Sequence, residues 1–144
     1  MQVRLMRRRK ALTKSDYQAM VRYAGSHLAS VRPWPVPATT PFAYRCSVAI
    51  YIVCDVGQRC CYVGSVARRK HGGLESRIAE HLADHTKRST WHTVWVLPLR
   101  EDTPIVEVRR LEGVVGAHLG PRASRRLPKP RPPYRQLHSN VIEP

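Results

Sequence analysis

The stretch "VAIYIVCDVGQRCCYVGSV", residues 48–66, constrains the fold more than any other part of the chain. β-Branched and aromatic residues dominate 47–54 and 60–66, and between them lies Asp-Val-Gly-Gln, a set of turn formers. Two such runs so close in sequence predict an antiparallel hairpin. If the hairpin is symmetric about Val56-Gly57, Tyr51 stands directly opposite Tyr62 on the same face. A lone hairpin is at best marginally stable in water, so the rest of the chain must supply strands and helices that cover it.

The flanking periodicities supply them. Tyr17, Met20, Val21, Ala24 and Leu28 recur at helical spacing and predict a helix from Ser15 to Ala29, with Thr13 or Ser15 as its cap. "VRPWPVPATTP", residues 31–41, holds four prolines. It cannot continue that helix and reads as a linker or as a chain draped over the core. "GGLESRIAEHLADH" predicts a helix with Leu74, Ile78 and Leu82 on one face, and "WHTVWVLPL", 91–99, predicts a third strand. "DTPIVEVRRLEGVVGAHLG" predicts a second core helix, with Thr103 as N-cap, Pro104 in the first helical position and Gly120-Pro121 as the stop. The order helix, strand, strand, helix, strand, helix implies an α+β fold, a small sandwich-like domain. Its centre is a three-stranded antiparallel sheet flanked by helices, with an N-terminal helix and basic extensions. The chain divides into 1–43 (basic arm, helix and Pro-rich linker), 44–127 (core domain) and 128–144 (basic Pro-rich tail).

Composition bounds what such a domain does. The chain has 144 residues, 42% of them hydrophobic, enough for one core. No run of about 18 apolar residues predicts a membrane span, and the basic start, "MQVRLMRRRKALTK", lacks the apolar segment of a secretory signal. The expectation is a cytoplasmic protein without disulfides. Cys46, Cys54, Cys60 and Cys61 sit in or beside strand segments, where Cys commonly acts as a small buried hydrophobe. A zinc site joining them to His71 or His85 matches no standard spacing. The net charge of +15 calls for a polyanionic partner, of which nucleic acid is the commonest. Arg68, Arg69 and Lys70, together with Arg122, Arg125, Arg126, Lys129 and Arg131 near the C-terminus, are the candidate phosphate contacts.

Three further side chains converge on the hairpin. Arg77 and His81 lie four residues apart and share a helix face. Val108, Leu111, Val115 and Leu119 define the buried stripe of the second core helix. Glu112 falls close to the centre of that stripe, whereas Glu107 points well away. A carboxylate on a packed face needs an ion-pair partner, for which Arg77 is a candidate, or a metal ion. Two tyrosines, an Arg, a His and a Glu facing one region of a strongly basic domain suit phosphodiester chemistry. A single Glu can hold Mg²⁺ whose other ligands are water and phosphate, and Arg clamps a phosphate through its fork geometry. A Tyr hydroxyl takes a proton from water only if nearby cations lower its pKa.

This constellation resembles the GIY-YIG nuclease superfamily. The first motif reads Ala49-Ile50-Tyr51 and the second Tyr62-Val63-Gly64. Arg77 and His81 match the Arg-x-x-x-His of the first core helix, and Glu112 matches the metal-binding Glu of the next. The resemblance covers about residues 46–127. It implies a small nuclease domain that hydrolyses DNA with one Mg²⁺ or Mn²⁺ and no small-molecule cofactor. By position, Tyr51 would be the general base acting on water and Tyr62 would orient it or contact the phosphate. Arg77 would stabilise the phosphate, His81 would assist, and Glu112 would bind the metal. Ala49 stands where the family has Gly, and Ser124 stands in the stretch where the family commonly has Asn. One active site per chain means that cutting both strands takes a homodimer or two successive nicks. The second reading of the same residues is a catalytically weak or inactive nuclease-like module that only binds nucleic acid.

Overall fold

The computed structural model of the chain describes residues 10–68 and 72–120. It begins with helix α1, Lys14–Ala24, followed by a 3₁₀ turn at Gly25–His27. A two-residue strand β1, Val36–Pro37, precedes the hairpin of β2, Val48–Cys54, and β3, Cys60–Ala67. Helices α2, Gly73–Leu82, and α3, His85–Thr90, lead into β4, Thr93–Pro98, and then α4, Ile105–Leu119. The α+β class holds, but among the described residues the sheet has four antiparallel strands rather than three, in the order β1-β4-β2-β3. The additional strand comes from the proline-rich stretch, where Val36 and Pro37 pair with Val94 and Thr93. Proline lacks a donor, and it is tolerated here because β1 lies at the edge of the sheet.

The central strand β2 is buried along its whole length, and its alternation sorts the core into two layers. Val48, Ile50, Ile52 and Cys54 pack with Tyr17 and Met20 of α1 and with Val108, Leu111 and Val115 of α4. Ala49, Tyr51 and Val53 pack with Leu74, Ile78 and Leu82 of α2 and with Trp91. The four cysteines form no disulfide with one another, and Cys54, Cys60 and Cys61 are buried hydrophobic contacts within these layers. No helix among the described residues is long and apolar enough to cross a membrane.

Several expected details shift. The first helix stops at Ala24, five residues early, because Gly25 turns to positive φ. Leu28, which fits the helical period, instead bridges to Leu99. Thr13 is the cap, in a reciprocal capping box with Asp16. At the second core helix Pro104, with extended backbone, takes the N-cap position, and the Thr103 hydroxyl donates to the Arg100 carbonyl. α4 ends at Gly120 as expected. The helix expected over 72–85 ends at Leu82, and Asp84 caps the separate α3 by accepting from the backbone amides of Thr86 and Lys87.

The hairpin register also differs. Tyr51 pairs with Gly64, and Tyr62 pairs with Val53, two residues from the symmetric expectation. Asp55 accepts from the backbone amides of Gly57 and Arg59, which widens the turn. A bulge next to Cys54 then adds Cys61 as the extra residue on β3. A shift of two preserves the face, so Tyr51 and Tyr62 remain neighbours on the diagonal, ring centroids 6.1 Å apart.

Candidate active site

A cleft of about 320 Å³ lies along β3, which is an edge strand of the sheet among the described residues. The two core layers meet there. α2 brings Arg77 from one side of the sheet, and α4 brings Glu112 and Arg109 from the other. Between them β3 contributes Tyr62, Gly64 and Ser65.

Gly64 explains how Tyr51, on the central strand, reaches an edge. A Cβ at position 64 would stand 2.5 Å from the Tyr51 hydroxyl oxygen and 2.6 Å from Cζ, closer than real Cβ atoms come. The tyrosine ring therefore crosses β3 over the one residue without a side chain. The final Gly of Tyr-Val-Gly is a steric requirement of the tyrosine on the neighbouring strand.

Behind the cleft wall the polar groups form a directed chain. His81 Nε2 lies 2.9 Å from the Tyr51 hydroxyl, and His81 Nδ1 lies 2.8 Å from Lys87 Nζ. Desolvation holds the imidazole pKa down to about 4, and the charges of Lys87 and Arg77 add to that effect. The ring is neutral at pH 7. An ammonium has hydrogens to donate and no lone pair to accept with. Nδ1 therefore accepts from Lys87, Nε2 carries the proton, and Nε2–H donates to Tyr51. The Tyr62 ring lies beside that of Tyr51, centroids 6.1 Å apart and tilted by 32°. Trp91 closes the back of the cluster, its ring centroid 4.9 Å from His81 and 5.2 Å from Tyr62.

Burial raises both phenol pKa values, most strongly at Tyr51, which is 0% exposed. The Arg77 charge pulls both down but does not win. Arg77 alone therefore does not meet the condition that nearby cations lower a tyrosine pKa. Desolvation of a phenolate on a closed core face outweighs a partly exposed guanidinium.

Glu112 is half-buried, and the Ser65 hydroxyl donates to it at 2.5 Å. Burial raises its pKa, against the opposing pull of Ser65, Arg109 and Arg77. Among the described residues no ion pair holds it. Arg77 lies instead 3.9 Å from Glu80, and its buried Nε has no hydrogen-bond partner among the described residues. The contrast drawn between the two glutamates of α4 is overturned. Glu107 is the more buried, 2% exposed, and pairs with Arg110. α4 buries Val106, Gly113 and Gly116 as well as its main stripe, so a single-stripe reading of the helix is too narrow.

Among the described residues no three His, Cys, Asp or Glu side chains cluster as a metal cage. The donor set does fit a hard cation that keeps most of its water. One half-buried carboxylate, Glu112, lines the cleft, and Mg²⁺ commonly binds through one or two carboxylates plus substrate phosphate.

The cleft thus gathers Tyr51, Tyr62, Arg77 and Glu112. His81 is held behind the phenols, and Arg68 lines the rim in a two-pronged pair with Glu80 at 2.7 and 3.0 Å. Arg69, Lys70, Arg122, Ser124, Arg125, Arg126, Lys129 and Arg131 lie outside the described residues. Ser65, Arg109, Lys87 and Trp91 were not anticipated. Two of them carried a readable signal. Arg109 precedes Glu112 by three residues on a helix, and Ser65 follows Tyr62 by three on a strand, which puts it on the face toward α4. Lys87 depends on α3, whose six residues carry no apolar period. Comparison of the chain with family models, with curated proteins and with solved structures gives no match.

Proposed function

We propose that this cleft hydrolyses phosphodiester bonds in DNA with the help of one divalent cation, in the manner of the GIY-YIG nucleases that the motifs resemble. The observation that carries the reading is Glu112. It is a half-buried carboxylate with a raised pKa and no ion pair among the described residues, in a cleft lined by Arg68, Arg77 and Arg109. Such a group is completed by a cation, and the cleft is completed by a phosphate.

Each side chain then has a task. Arg77 and Arg109, on opposite walls, bind and orient the phosphate. Glu112, positioned by Ser65, holds Mg²⁺ or Mn²⁺, which when bound supplies positive charge to the phosphate oxygens and the leaving group. Tyr62, the more open of the two phenols, meets the attacking water or the phosphate. Tyr51 connects Tyr62 to His81. His81 donates its Nε2 proton to the Tyr51 oxygen, which favours negative charge there, and Lys87 fixes that tautomer.

One observation favours the binding-module reading. Tyr51 is fully buried, and that burial raises its pKa and disfavours the phenolate that would take a proton from water. A cleavage assay separates the two readings. Wild-type protein with Mg²⁺ or Mn²⁺ is offered supercoiled, branched, nicked, single-stranded and duplex DNA. Nicking or cutting is expected, and Glu112→Gln is expected to abolish it while DNA binding persists. A wild type that cuts none of these substrates under either metal leaves only binding.

A further inference from the structure

Away from the cleft, the proline-rich segment carries a group of side chains that the chemistry above does not use. Trp34 is 50% exposed, the most open aromatic of the described core, and Val31 beside it is 49% exposed. The Arg32 guanidinium lies 5.2 Å from the Trp34 ring centroid and 4.5 Å from that of Tyr44. The buried Arg32 Nε has no hydrogen-bond partner among the described residues. Arg45 is 82% exposed at its side chain and pairs with Glu75 of α2. An exposed indole normally finds a burial site within the core, and this one is held away from it.

The segment that presents Trp34 is fixed. Pro33 and Pro35 flank it and confine its backbone to extended conformations. On one side the Arg32 amide donates to the Tyr17 hydroxyl at 3.0 Å, and that buried hydroxyl donates to the Val96 carbonyl of β4 at 2.6 Å. On the other side Val36 and Pro37 are paired into the sheet, and the Ala38 amide donates to the His92 carbonyl. Little conformational freedom remains to be lost when something binds the ring.

We propose that Trp34, with Arg32 and Tyr44, is a stacking platform for an unpaired nucleobase of the nucleic acid that enters the cleft; this rests on the nucleic-acid partner proposed above. The chemistry matches on both counts. A nucleobase offers a π-face to an exposed indole, and the adjoining phosphates meet Arg32 and Arg45 in a chain of net charge +15. The Trp34 segment runs into β1, at the sheet edge opposite β3 and the cleft, and its link to the cleft is through the α2 layer. Tyr44 packs in the same core layer as Tyr51 and α2, and the Leu74 amide at the start of α2 donates to the Cys46 carbonyl. Bases inside a duplex are already stacked, so the platform selects single strands, flaps or branch points over blunt duplex.

Tryptophan emission tests this on the full chain, because Trp91 and Trp95 are only 6% and 5% exposed. A short oligothymidylate is expected to quench the emission, and Trp34→Phe is expected to abolish the quenching while binding stays near wild type by anisotropy of a labelled oligonucleotide. Trp34→Ala is expected to weaken that binding about tenfold, the order that one stacked base contributes. Its salt dependence should be unchanged, since no charge is lost. Wild-type affinity in Trp34→Ala, or unchanged emission at saturating oligonucleotide, overturns the proposal. A blue shift with anionic phospholipid vesicles but none of these responses to oligonucleotide overturns it in favour of a membrane surface. The outcome is separable from the nuclease reading. Quenching without cleavage sinks the nuclease and spares the platform, and cleavage without quenching does the reverse.

Discussion

Gly64→Ala is the sharpest test of how the cleft is built, because the sign of its effect is decided by one contact. Glycine in a strand is unfavourable, so alanine at an open position would stabilise by about 0.5–1 kcal/mol. Here the added methyl would lie 2.5 Å from the Tyr51 hydroxyl oxygen and 2.6 Å from Cζ. Tyr51 is 0% exposed, so its ring has no solvent to move into. Overpacking of this kind costs about 1–3 kcal/mol, against a total stability of about 5–15 kcal/mol for a typical domain. For a chain of this size that is a fall in Tm of roughly 3–10 °C, read by circular dichroism. Adding Tyr51→Phe should not rescue the variant, because it deletes the oxygen and leaves Cζ in place. Adding Tyr51→Val removes the ring, and a double-mutant cycle should give a favourable coupling of about 1 kcal/mol or more. A Gly64→Ala protein that melts at or above wild type, or strict additivity with Tyr51→Val, refutes the crossing of Tyr51 over β3.

Divalent cation at ten times its Kd should stabilise wild type by about 1.4 kcal/mol and leave Glu112→Gln unmoved in a thermal-shift assay; equal shifts in both would remove the metal from Glu112. The raised Glu112 pKa means that the folded protein holds this proton more tightly than the unfolded chain. Metal-free stability should therefore fall as pH rises from the ordinary carboxylate range through that titration, and cleavage should rise over the same window. Comparing the stability of wild type and Glu112→Gln across pH isolates the first effect. His81 runs the other way, since a neutral imidazole in the fold contributes stability that is lost as pH falls from about 6.5 toward 4. Nitrogen-15 NMR should find the neutral Nε2–H tautomer, and Lys87→Met should redistribute it; a pure Nδ1–H form in wild type would break the chain of donors. Deleting 128–144, outside the described residues, removes Lys129, Arg131 and Arg135. It should flatten the logarithmic salt slope of DNA binding by up to about 2.7, and an unchanged slope would show that the tail does not touch phosphate.

What the amino-acid order revealed, and what it hid, follows from the range of each interaction. The strands of the hairpin were legible because β-branched runs report directly on burial. Their register was not, because the Asp55 side chain and the Cys61 bulge set the turn, and a symmetric turn is blind to both. Tyr51 and Tyr62 were still placed on one face because the error was even. Helical spacing puts Arg77 on the side of α2 that lines the cleft. Glu112 was also brought to the cleft, although the reasoning that contrasted it with Glu107 failed where α4 buries more than one side. The fourth strand was hidden by prolines that mark an edge as readily as a linker. The tautomer of His81 could not be read from local sequence at all. It depends on Lys87, which a six-residue helix with no apolar repeat carries into place.

The cleft straddles a strand, and that makes the alignment of β3 part of its chemistry. Positions 62 and 64 belong to the face shared with α2, and 63 and 65 to the face shared with α4. A slip of one residue would carry Tyr62 toward Glu112 and Ser65 toward His81, and would put a valine side chain where the Tyr51 ring must pass. Both halves would be dismantled by an error that leaves every helix and the count of strands intact. The five residues from Asp55 to Arg59, none of which lines the cleft, therefore act as its alignment gauge. An insertion or deletion there should silence the site in a protein that still folds.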